Sequence, residues 1–340
     1  RTLFRFPEQA SGIVVSGTSM ANFMAVIVAK TKRLGIETRR NGLGEARLVA
    51  YTSTAAHNCV ARALELSGLG SNALRMIPID AEHRIDRAAL AAAIANDRSA
   101  GLTPFMLIGT AGTVDVGAVD DLQGLAEIAA RENLWFHVDG AFGALAVLSS
   151  ELAPLVRGIE LCDSIAFDFH KWMQVPYDAG FLLVRDGEAH RAAFASDAQY
   201  LTRAARGLAA GAPWFTDFGP ELSRGFRALK VWFTLATFGV DRLGETVAET
   251  CRLARVLAER VRREPALELV CEPQLNIVCF RHRHVDSDEL VVRLQESGLV
   301  APSSTRIGGR PTIRAAIVNH RTTEADVTAL VDAALALADA

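Results

Sequence analysis

The chain has 340 residues, half of them hydrophobic, and its 36 basic and 39 acidic residues give a formal net charge of -3. This near balance predicts neither a nucleic-acid partner nor binding to an anionic membrane surface. No apolar stretch is both long and free of charge, so no membrane-spanning segment is expected, and the length predicts a large domain followed by a smaller one.

Apolar runs alternate with amphipathic helical stretches from about residue 12 to 195, which is typical of a mostly parallel α/β sheet. Seven runs predict strands, at 12–16, 47–52, 74–79, 105–109, 134–138, 164–169 and 180–184. Helices are predicted between them, at 20–32, at 55–66, after a cap near Asp86, and from caps at Asp120 and Asp121 to about Arg131.

The regular alternation stops between residues 190 and 220, where the run AARGLAAGAPW at 204–214 predicts a mobile loop. A long loop in a compact domain is usually either functional or disordered. A helix is predicted at 222–238. Beyond it, strands at 267–270, 276–281 and 312–317 alternate with helices at 287–296 and 323–338. The sequence therefore predicts a large domain at 1–240 and a small α/β domain at 241–340.

Five cysteines without CxxC spacing predict reduced thiols in a cytoplasmic protein, and no metal site is expected. The chain starts at Arg1 rather than at a methionine, and a motif with catalytic character follows almost at once. We therefore expect that an N-terminal arm precedes this sequence.

Three segments in the first third of the chain carry candidate binding residues. SGTSMAN at 16–22 precedes a helix, so its backbone amides and the hydroxyls of Thr18 and Ser19 predict a phosphate cradle, with an ordinary helix cap as the alternative. His57 is expected in the first turn of a helix. Its ring could stack on a flat ligand, or it could have only a structural role. Thr110, in the turn GTAGTVD, is a plausible ring-contacting hydroxyl.

A carboxylate and a lysine end two later strands. Asp139 follows an apolar run and precedes the small residues Gly140 and Ala141, and a buried carboxylate is costly unless it is paired. Lys171 follows His170 in FHKW; a solvated surface lysine is the alternative. Pyridoxal phosphate requires such a pair, an amine that condenses with its aldehyde and an acid that holds its pyridine nitrogen protonated. All these residues are expected at the carboxyl edge of one parallel sheet.

Together these motifs resemble the group II pyridoxal-phosphate-dependent decarboxylases, a family that includes aromatic-L-amino-acid, histidine and glutamate decarboxylases. The resemblance covers nearly the whole chain and looks closest to the aromatic branch. It rests on SGTSMAN, AHNCVARA, GTAGTVDVGAVDDL, WFHVDGAFG, DSIAFDFHKW, LSRGFRALKVWF and TIRAAIVNHRT. It implies fold type I, with a large, mostly parallel seven-stranded sheet domain and a small C-terminal α/β domain, and pyridoxal 5'-phosphate (PLP) as the cofactor.

The resemblance also implies roles at the reacting end of the cofactor. Lys171 would carry PLP covalently, and Asp139 would pair with the pyridine nitrogen. His57 would stack on one face of the ring, and Ala141 would pack against the other. Tyr200, in DAQYLTR, matches the tyrosine of a mobile loop and would return a proton to the substrate Cα.

At the other end of the cofactor, the resemblance implies that Thr18, Ser19 and His170 hold the phosphate. Thr110 matches a residue near the ring substituents, and Arg314 matches an arginine near the active site. Asp168 departs from the pattern, because aromatic decarboxylases often have an asparagine there. Since a second anion would repel the phosphate, we expect Asp168 to point at His170 or at a backbone amide.

The expected reaction is decarboxylation of an L-amino acid, expected to be aromatic, to the amine and carbon dioxide. One alternative is an aromatic aldehyde synthase that also deaminates oxidatively, although the presence of Tyr200 and His57 favours the amine. A homologue that retains only the fold is the other alternative. The resemblance further implies a homodimer with the active site at its interface, where the N-terminal arm lines part of the substrate pocket.

Overall fold

The computed structural model of the chain describes residues 1–196, 204–207, 210–211 and 214–338. The larger of its two sheets has seven strands in the order β1-β7-β6-β5-β4-β2-β3. The strands are β1 (Ser11–Val15), β2 (Leu48–Ser53), β3 (Leu74–Ile77), β4 (Thr103–Thr110), β5 (Trp135–Asp139), β6 (Ser164–Asp168) and β7 (Gly180–Val184). From β3 through β2, β4 and β5 to β6 the strands run parallel, whereas β7 is antiparallel to β6 and β1. The predicted mostly parallel seven-stranded sheet is confirmed.

Both faces of this sheet are covered, which explains why its central strands are apolar throughout. Successive strand residues point to opposite faces, so Ile165 joins one apolar cluster and Ala166 the other. One cluster includes side chains of α4 and α5, and the other includes side chains of α1, α3 and α6. The helices of this part of the chain are α1 (Thr18–Leu34), α2 (Thr38–Asn41), α3 (Cys59–Leu66), α4 (Arg87–Ser99), α5 (Leu122–Glu132) and α6 (Gly187–Phe194).

Two aspartates that were both predicted to cap α5 have different roles. Asp121 is the N-cap and accepts a hydrogen bond from the backbone N–H of Gly124. Asp120 turns inward instead, where its carboxylate accepts the backbone N–H groups of Ile85 and Thr110, each at 2.7 Å. The prediction for Asp120 was therefore wrong, because two buried backbone donors compete for this carboxylate and the helix end already has Asp121.

A long helix, α7 (Arg227–Arg263), follows the large sheet and is interrupted at Gly239, whose φ of 74° lies in the left-handed region that glycine tolerates. The helix was predicted to begin at residue 222. It begins later because the guanidinium of Arg224 bonds the backbone oxygen of Val14 and the carboxylate of Glu221, which holds this segment as a loop. The proposed domain boundary after residue 240 lies beside the break and stays a prediction.

The C-terminal region forms a second, antiparallel sheet in the order β10-β11-β9-β8. Its elements are β8 (Leu267–Leu269), β9 (Ile277–His282), α8 (Ser287–Glu296), β10 (Ser303–Ile307), β11 (Arg310–Ala316) and α9 (Glu324–Ala336). An apolar cluster of its own joins this sheet to α8, α9 and the second half of α7. Strand β10 was not predicted, because Ser303 and Ser304 are exposed at the sheet edge and give no apolar signal. Within the described part of the chain, no helix has the length and apolar character needed to cross a membrane.

Candidate active site

A cavity of about 310 Å³ lies where β4, β5 and β6 reach their carboxyl ends. Thr110, Asp139 and Asp168 are the last residues of these three neighbouring strands, and all three line the cavity. The structure brings together every sequence-predicted cofactor residue here. They are Thr18, Ser19, His57, Thr110, Asp139, Ala141, His170 and Lys171.

The start of α1 forms one wall of the cavity. The N-cap of this helix is Gly17, which supplies no side-chain cap, so the hydroxyl-rich turn is not an ordinary capping motif. The Thr18 hydroxyl is buried and has no hydrogen-bond partner among the residues that the structure describes. Gly180 of β7 approaches this turn so closely that a Cβ atom there would lie 2.3 Å from the Gly17 Cα. The turn is therefore held against the sheet at a position where only glycine fits.

Asp168 ties this turn to the lysine. Its Oδ1 accepts the backbone N–H of Thr18 at 2.7 Å, while its Oδ2 lies 3.0 Å from the Nζ of Lys171 and 3.6 Å from the Nε2 of His170. The expectation that Asp168 points at His170 or at a backbone amide is confirmed for both. The carboxylate thus has three polar neighbours, all of which belong to residues with candidate roles, and its negative charge lies opposite the ammonium group of Lys171.

Asp139 lies 4% exposed at the end of β5. Burial raises the pKa of its carboxyl group, and this effect is opposed by a hydrogen bond from Asn22, by the positive charge of Lys171 and by the backbone N–H of Ala141. The Nδ2 of Asn22 donates to Oδ2 at 2.8 Å, and the backbone N–H of Ala141 donates to Oδ1 at 3.2 Å. These donors stabilise the charged form that is needed to pair with a protonated pyridine nitrogen.

His57 precedes α3 rather than lying in its first turn. The reason is that the backbone N–H of Cys59, the first residue of the helix, donates to the Nδ1 of His57 at 3.1 Å. The imidazole therefore caps the helix from outside, and its neutral form carries the proton on Nε2. The ring remains exposed on the wall of the cavity, where it can lie against a flat ligand.

His170 is fixed in a similar way. The backbone N–H of Ala179 donates to its Nδ1 at 2.9 Å, which leaves Nε2 directed towards Asp168. Burial lowers the pKa of His170, and the nearby negative charge of Asp168 opposes this shift. The ring of Tyr177 lies over the imidazole with 4.3 Å between ring centroids, and Tyr177 itself is 78% exposed. No sequence motif pointed to Tyr177, which lines the cavity from a loop.

A second cavity, of about 600 Å³, adjoins the first and shares Lys171, His170, Phe142 and Tyr177 with it. Arg314 lies on its wall, and the Nε of this side chain donates to the backbone oxygen of Val114 at 2.7 Å. The remaining lining residues come mainly from β11 and the segment after it, including Ala316, Val318, Asn319, His320 and Arg321. A ligand attached at Lys171 could therefore occupy the smaller cavity while a second molecule occupies the larger one.

The residues of the smaller cavity fit PLP. Within the described ranges, the buried hydroxyls of Thr18 and Thr110 both lack a hydrogen-bond partner, although a buried polar group usually has one. A phosphate and a ring hydroxyl are suitable partners for such groups. The cavity also combines the helix N-terminus, a lysine amine and a buried carboxylate. Tyr200, the remaining predicted site residue, lies outside the described residues.

Asn22 and His137 were not predicted as site residues, although both could have been found from helical and strand periodicity. Asn22 lies four residues after Thr18 and so shares its helix face, and His137 lies two residues before Asp139 and so shares its side of β5. Asn22 contacts Asp139 directly, and His137 contacts Asn22, so both contribute polar groups behind the carboxylate.

Comparisons with known proteins identify the same family. The model of the pyridoxal-dependent decarboxylase conserved domain matches residues 1–283. The aromatic-L-amino-acid decarboxylase of Bacillus atrophaeus is 33% identical over 100% of this chain and 71% of its own length. The histidine decarboxylase of Rattus norvegicus is 32% identical over 94% of the chain but only 49% of its own length. The L-2,4-diaminobutyrate decarboxylase of Rhizobium meliloti (strain 1021) is 32% identical over 97% of the chain and 66% of its own length.

Solved structures agree with this result. Oryza sativa TDC with PLP and tryptamine has a TM-score of 0.90 at 27% identity, covering 99% of this chain and 73% of that one. Rhodiola rosea 4-hydroxyphenylacetaldehyde synthase has a TM-score of 0.86 at 27% identity, covering 99% and 72%. Fold type I and the cofactor PLP are thereby confirmed. The chain belongs to the pyridoxal-dependent decarboxylase family and is a PLP-dependent amino-acid carboxy-lyase.

Proposed function

We propose that this enzyme converts an aromatic L-amino acid to the corresponding amine and carbon dioxide. The observation that carries the proposal is the cavity that Lys171 and Asp139 share with the hydroxyls of Thr18 and Thr110, which have no hydrogen-bond partner among the described residues. Bound PLP supplies an electron sink for the electron pair that remains when the substrate carboxylate leaves. The protein must supply attachment, orientation and a proton.

The side chains of the cavity have separate proposed roles. Lys171 would hold the cofactor covalently through its amine. Asp139, whose charged form is stabilised by its donors against the effect of burial, would pair with the pyridine nitrogen and keep it protonated. The exposed ring of His57 stacks on the cofactor, with Ala141 on the opposite face, and Thr110 lies near the ring substituents.

The phosphate is proposed to bind at the start of α1. The N-terminus of the helix, the hydroxyls of Thr18 and Ser19, and the imidazole of His170 all face this end of the cavity. The Oδ1 of Asp168 is occupied by the Thr18 N–H, and its Oδ2 lies beside His170 and Lys171. With PLP held at Lys171, Asp168 would still hold this turn through the Thr18 N–H.

The adjoining cavity is the proposed compartment for the substrate. Arg314 places a positive charge on its wall, which suits the carboxylate of an amino acid. Phe142, Tyr177 and Ile277 supply apolar surface for an aromatic side chain. Histidine and diaminobutyrate decarboxylases are also similar to this chain, so aromatic specificity depends on this lining rather than on family membership.

A second candidate function is aldehyde formation, because one structural neighbour is a 4-hydroxyphenylacetaldehyde synthase. Simple decarboxylation is favoured by Tyr200 and His57, since a phenol can return a proton to the substrate carbon before oxygen reacts there.

We also propose a homodimer with the active site at its interface. The first half of α7 exposes Leu229, Trp232 and Phe233 at helical spacing, with exposed fractions of 41%, 60% and 55%. A contiguous apolar face of this kind is unusual on a monomer and is typical of a protein contact. We call these three residues the apolar face of α7.

The test of the proposed reaction is product analysis of the PLP-loaded enzyme. L-phenylalanine, L-tyrosine, L-tryptophan, L-histidine and L-2,4-diaminobutyrate are supplied separately, and carbon dioxide, amine, aldehyde and oxygen uptake are measured. We expect equal amounts of aromatic amine and carbon dioxide without oxygen uptake. Turnover of histidine or diaminobutyrate alone would refute aromatic specificity, and aldehyde as the main product would favour the second candidate.

A further inference from the structure

Five buried side chains, the last of which is Asp139, form a continuous line of hydrogen bonds. The indole N–H of Trp135 donates to the Oγ of Ser164 at 2.8 Å, and this Oγ lies 2.8 Å from the Nδ1 of His137. The Nε2 of His137 lies 2.8 Å from the Oδ1 of Asn22, whose Nδ2 donates to Asp139 at 2.8 Å. Each of the five side chains is less than one-tenth exposed.

The chemistry of the two ends fixes the direction of every bond in this line. An indole N–H can only donate, so Ser164 accepts from Trp135 and its single hydroxyl proton is free to be donated to His137. At the other end the Asp139 carboxylate can only accept, so Asn22 donates from Nδ2 and turns its carbonyl oxygen to His137. His137 therefore carries its proton on Nε2, which donates to this carbonyl, and its unprotonated Nδ1 accepts from Ser164.

The line does not change its protonation near neutral pH. Burial lowers the pKa of His137 to about 3, so the ring remains neutral and keeps this direction. Cys59, whose Sγ lies 3.8 Å from the same Asp139 oxygen, also remains neutral because burial raises its pKa to about 12. Neither group places a second charge beside Asp139.

We propose that Asn22 and His137 are positioning residues, which hold Asp139 ionised and oriented for the pyridine nitrogen of the cofactor. The proposal rests on the proposed role of Asp139. A donor from Asn22 favours the charged carboxylate in a buried place that would otherwise favour the neutral acid. His137, anchored through Ser164 to Trp135, prevents the Asn22 amide from turning its oxygen towards Asp139.

The same bonds could have a purely structural role instead of acting on the ring nitrogen through Asp139. A cofactor analogue without the ring nitrogen distinguishes these two roles. Apoprotein is titrated with PLP and with 1-deazapyridoxal 5'-phosphate, in which a carbon replaces that nitrogen, and the two dissociation constants are compared. A residue that acts through Asp139 on the nitrogen changes the ratio of these constants. A residue that only maintains the fold weakens binding of both molecules equally.

The variants are Asn22→Leu, which keeps the volume but removes the donor, and Asn22→Ser, which stays polar but is too short to join His137 to Asp139. We expect the preference for PLP to fall about tenfold in both, which corresponds to roughly one pKa unit at Asp139. His137→Phe should lower it less, since Asn22 keeps its contact with Asp139. The control is Thr250→Val, which removes the buried bond from the Trp172 indole to Thr250 at 3.0 Å and should leave the preference unchanged.

An equal loss of affinity for both cofactors in the Asn22 variants would overturn the proposal. If Asn22→Leu does not fold, Asn22→Ser decides the question. Asp139→Asn is measured beside them. If it retains the preference, the proposed role of Asp139 is wrong; if it loses the preference while the Asn22 variants retain it, only the positioning role is wrong.

Discussion

The carboxylate of Asp168 lies 3.0 Å from the amine of Lys171, so the residue that departs from the family pattern is paired with the proposed attachment point of the cofactor. The same carboxylate accepts the first backbone N–H of α1 at 2.7 Å. One buried side chain therefore connects the lysine to the turn that is proposed to hold the phosphate, and its removal affects both.

Asp168→Ala should destabilise the apoprotein. It leaves the backbone N–H of Thr18 buried without its acceptor, which costs about 1–3 kcal/mol in the free energy of unfolding. Asp168→Asn should cost less, because the amide oxygen can still accept from Thr18. Urea denaturation of the two variants and the parent protein measures the difference. Equal stability of Asp168→Ala and the parent would show that this bond contributes nothing.

His190 should make stability depend on pH. It is fully buried, its Nδ1 lies 2.8 Å from the Ser11 hydroxyl, and burial lowers its pKa from 6.5 to about 4. Because the unfolded chain binds a proton more readily than the folded protein, stability is fully present above about pH 6.5 and falls as the pH approaches 4.

The slope expected from this one group is about 1.4 kcal/mol per pH unit within that window. It is measured by urea denaturation of the apoprotein between pH 7 and pH 5. His190→Gln should lose this part of the slope, whereas the exposed residue His284, replaced by Gln, should leave it intact. Parallel curves for His190→Gln and the parent would contradict the prediction.

Tyr200→Phe should shift the products from amine towards aldehyde. A phenyl ring cannot return the proton that the substrate carbon needs after carbon dioxide has left. Because protonation is slower, oxygen has longer to react at that carbon. We expect slower amine formation together with aldehyde, ammonia and oxygen consumption. Reactions run with and without oxygen provide the comparison. Amine alone at the parental rate would mean that the proton comes from another group, and His57 would be tested next.

The apolar face of α7 should be required for the dimer. Trp232→Glu combined with Phe233→Glu places two charges in the proposed contact, so light scattering at micromolar concentration should give the mass of one chain instead of two. Leu299→Glu, at a residue that is 72% exposed on another surface, is the control and should remain dimeric. A parent protein that is monomeric and fully active would reject the proposed assembly.

The sequence was informative where buried strands end in polar residues. Asp139 was visible because it ends an apolar run and Lys171 because it closely follows another, and the parallel pairing of β5 and β6 requires these strand ends to lie together. Asn22 and His137 were missed because each is a single polar residue inside a helix or a strand, and only its spacing from Thr18 or Asp139 marks it. Strand β10 was missed because its residues are polar and exposed, and the start of α3 was misplaced because a histidine ring caps it.

Some expectations concern a bound cofactor, a second chain or the location in the cell. The roles of the cavity residues, the domain boundary and the homodimer stay predictions. So does the cytoplasmic location, which rests on the five unpaired cysteines.

The central claim is that Lys171 carries PLP, and borohydride reduction of the PLP-loaded enzyme tests it most directly. Reduction fixes the cofactor on its lysine, and mass spectrometry of the digested protein then locates it. We expect the modification on the peptide that contains Lys171, and we expect Lys171→Ala to lose both the visible absorption of the attached cofactor and nearly all turnover. Modification of Lys30 or Lys230 in place of Lys171, or full activity of Lys171→Ala, would contradict the account.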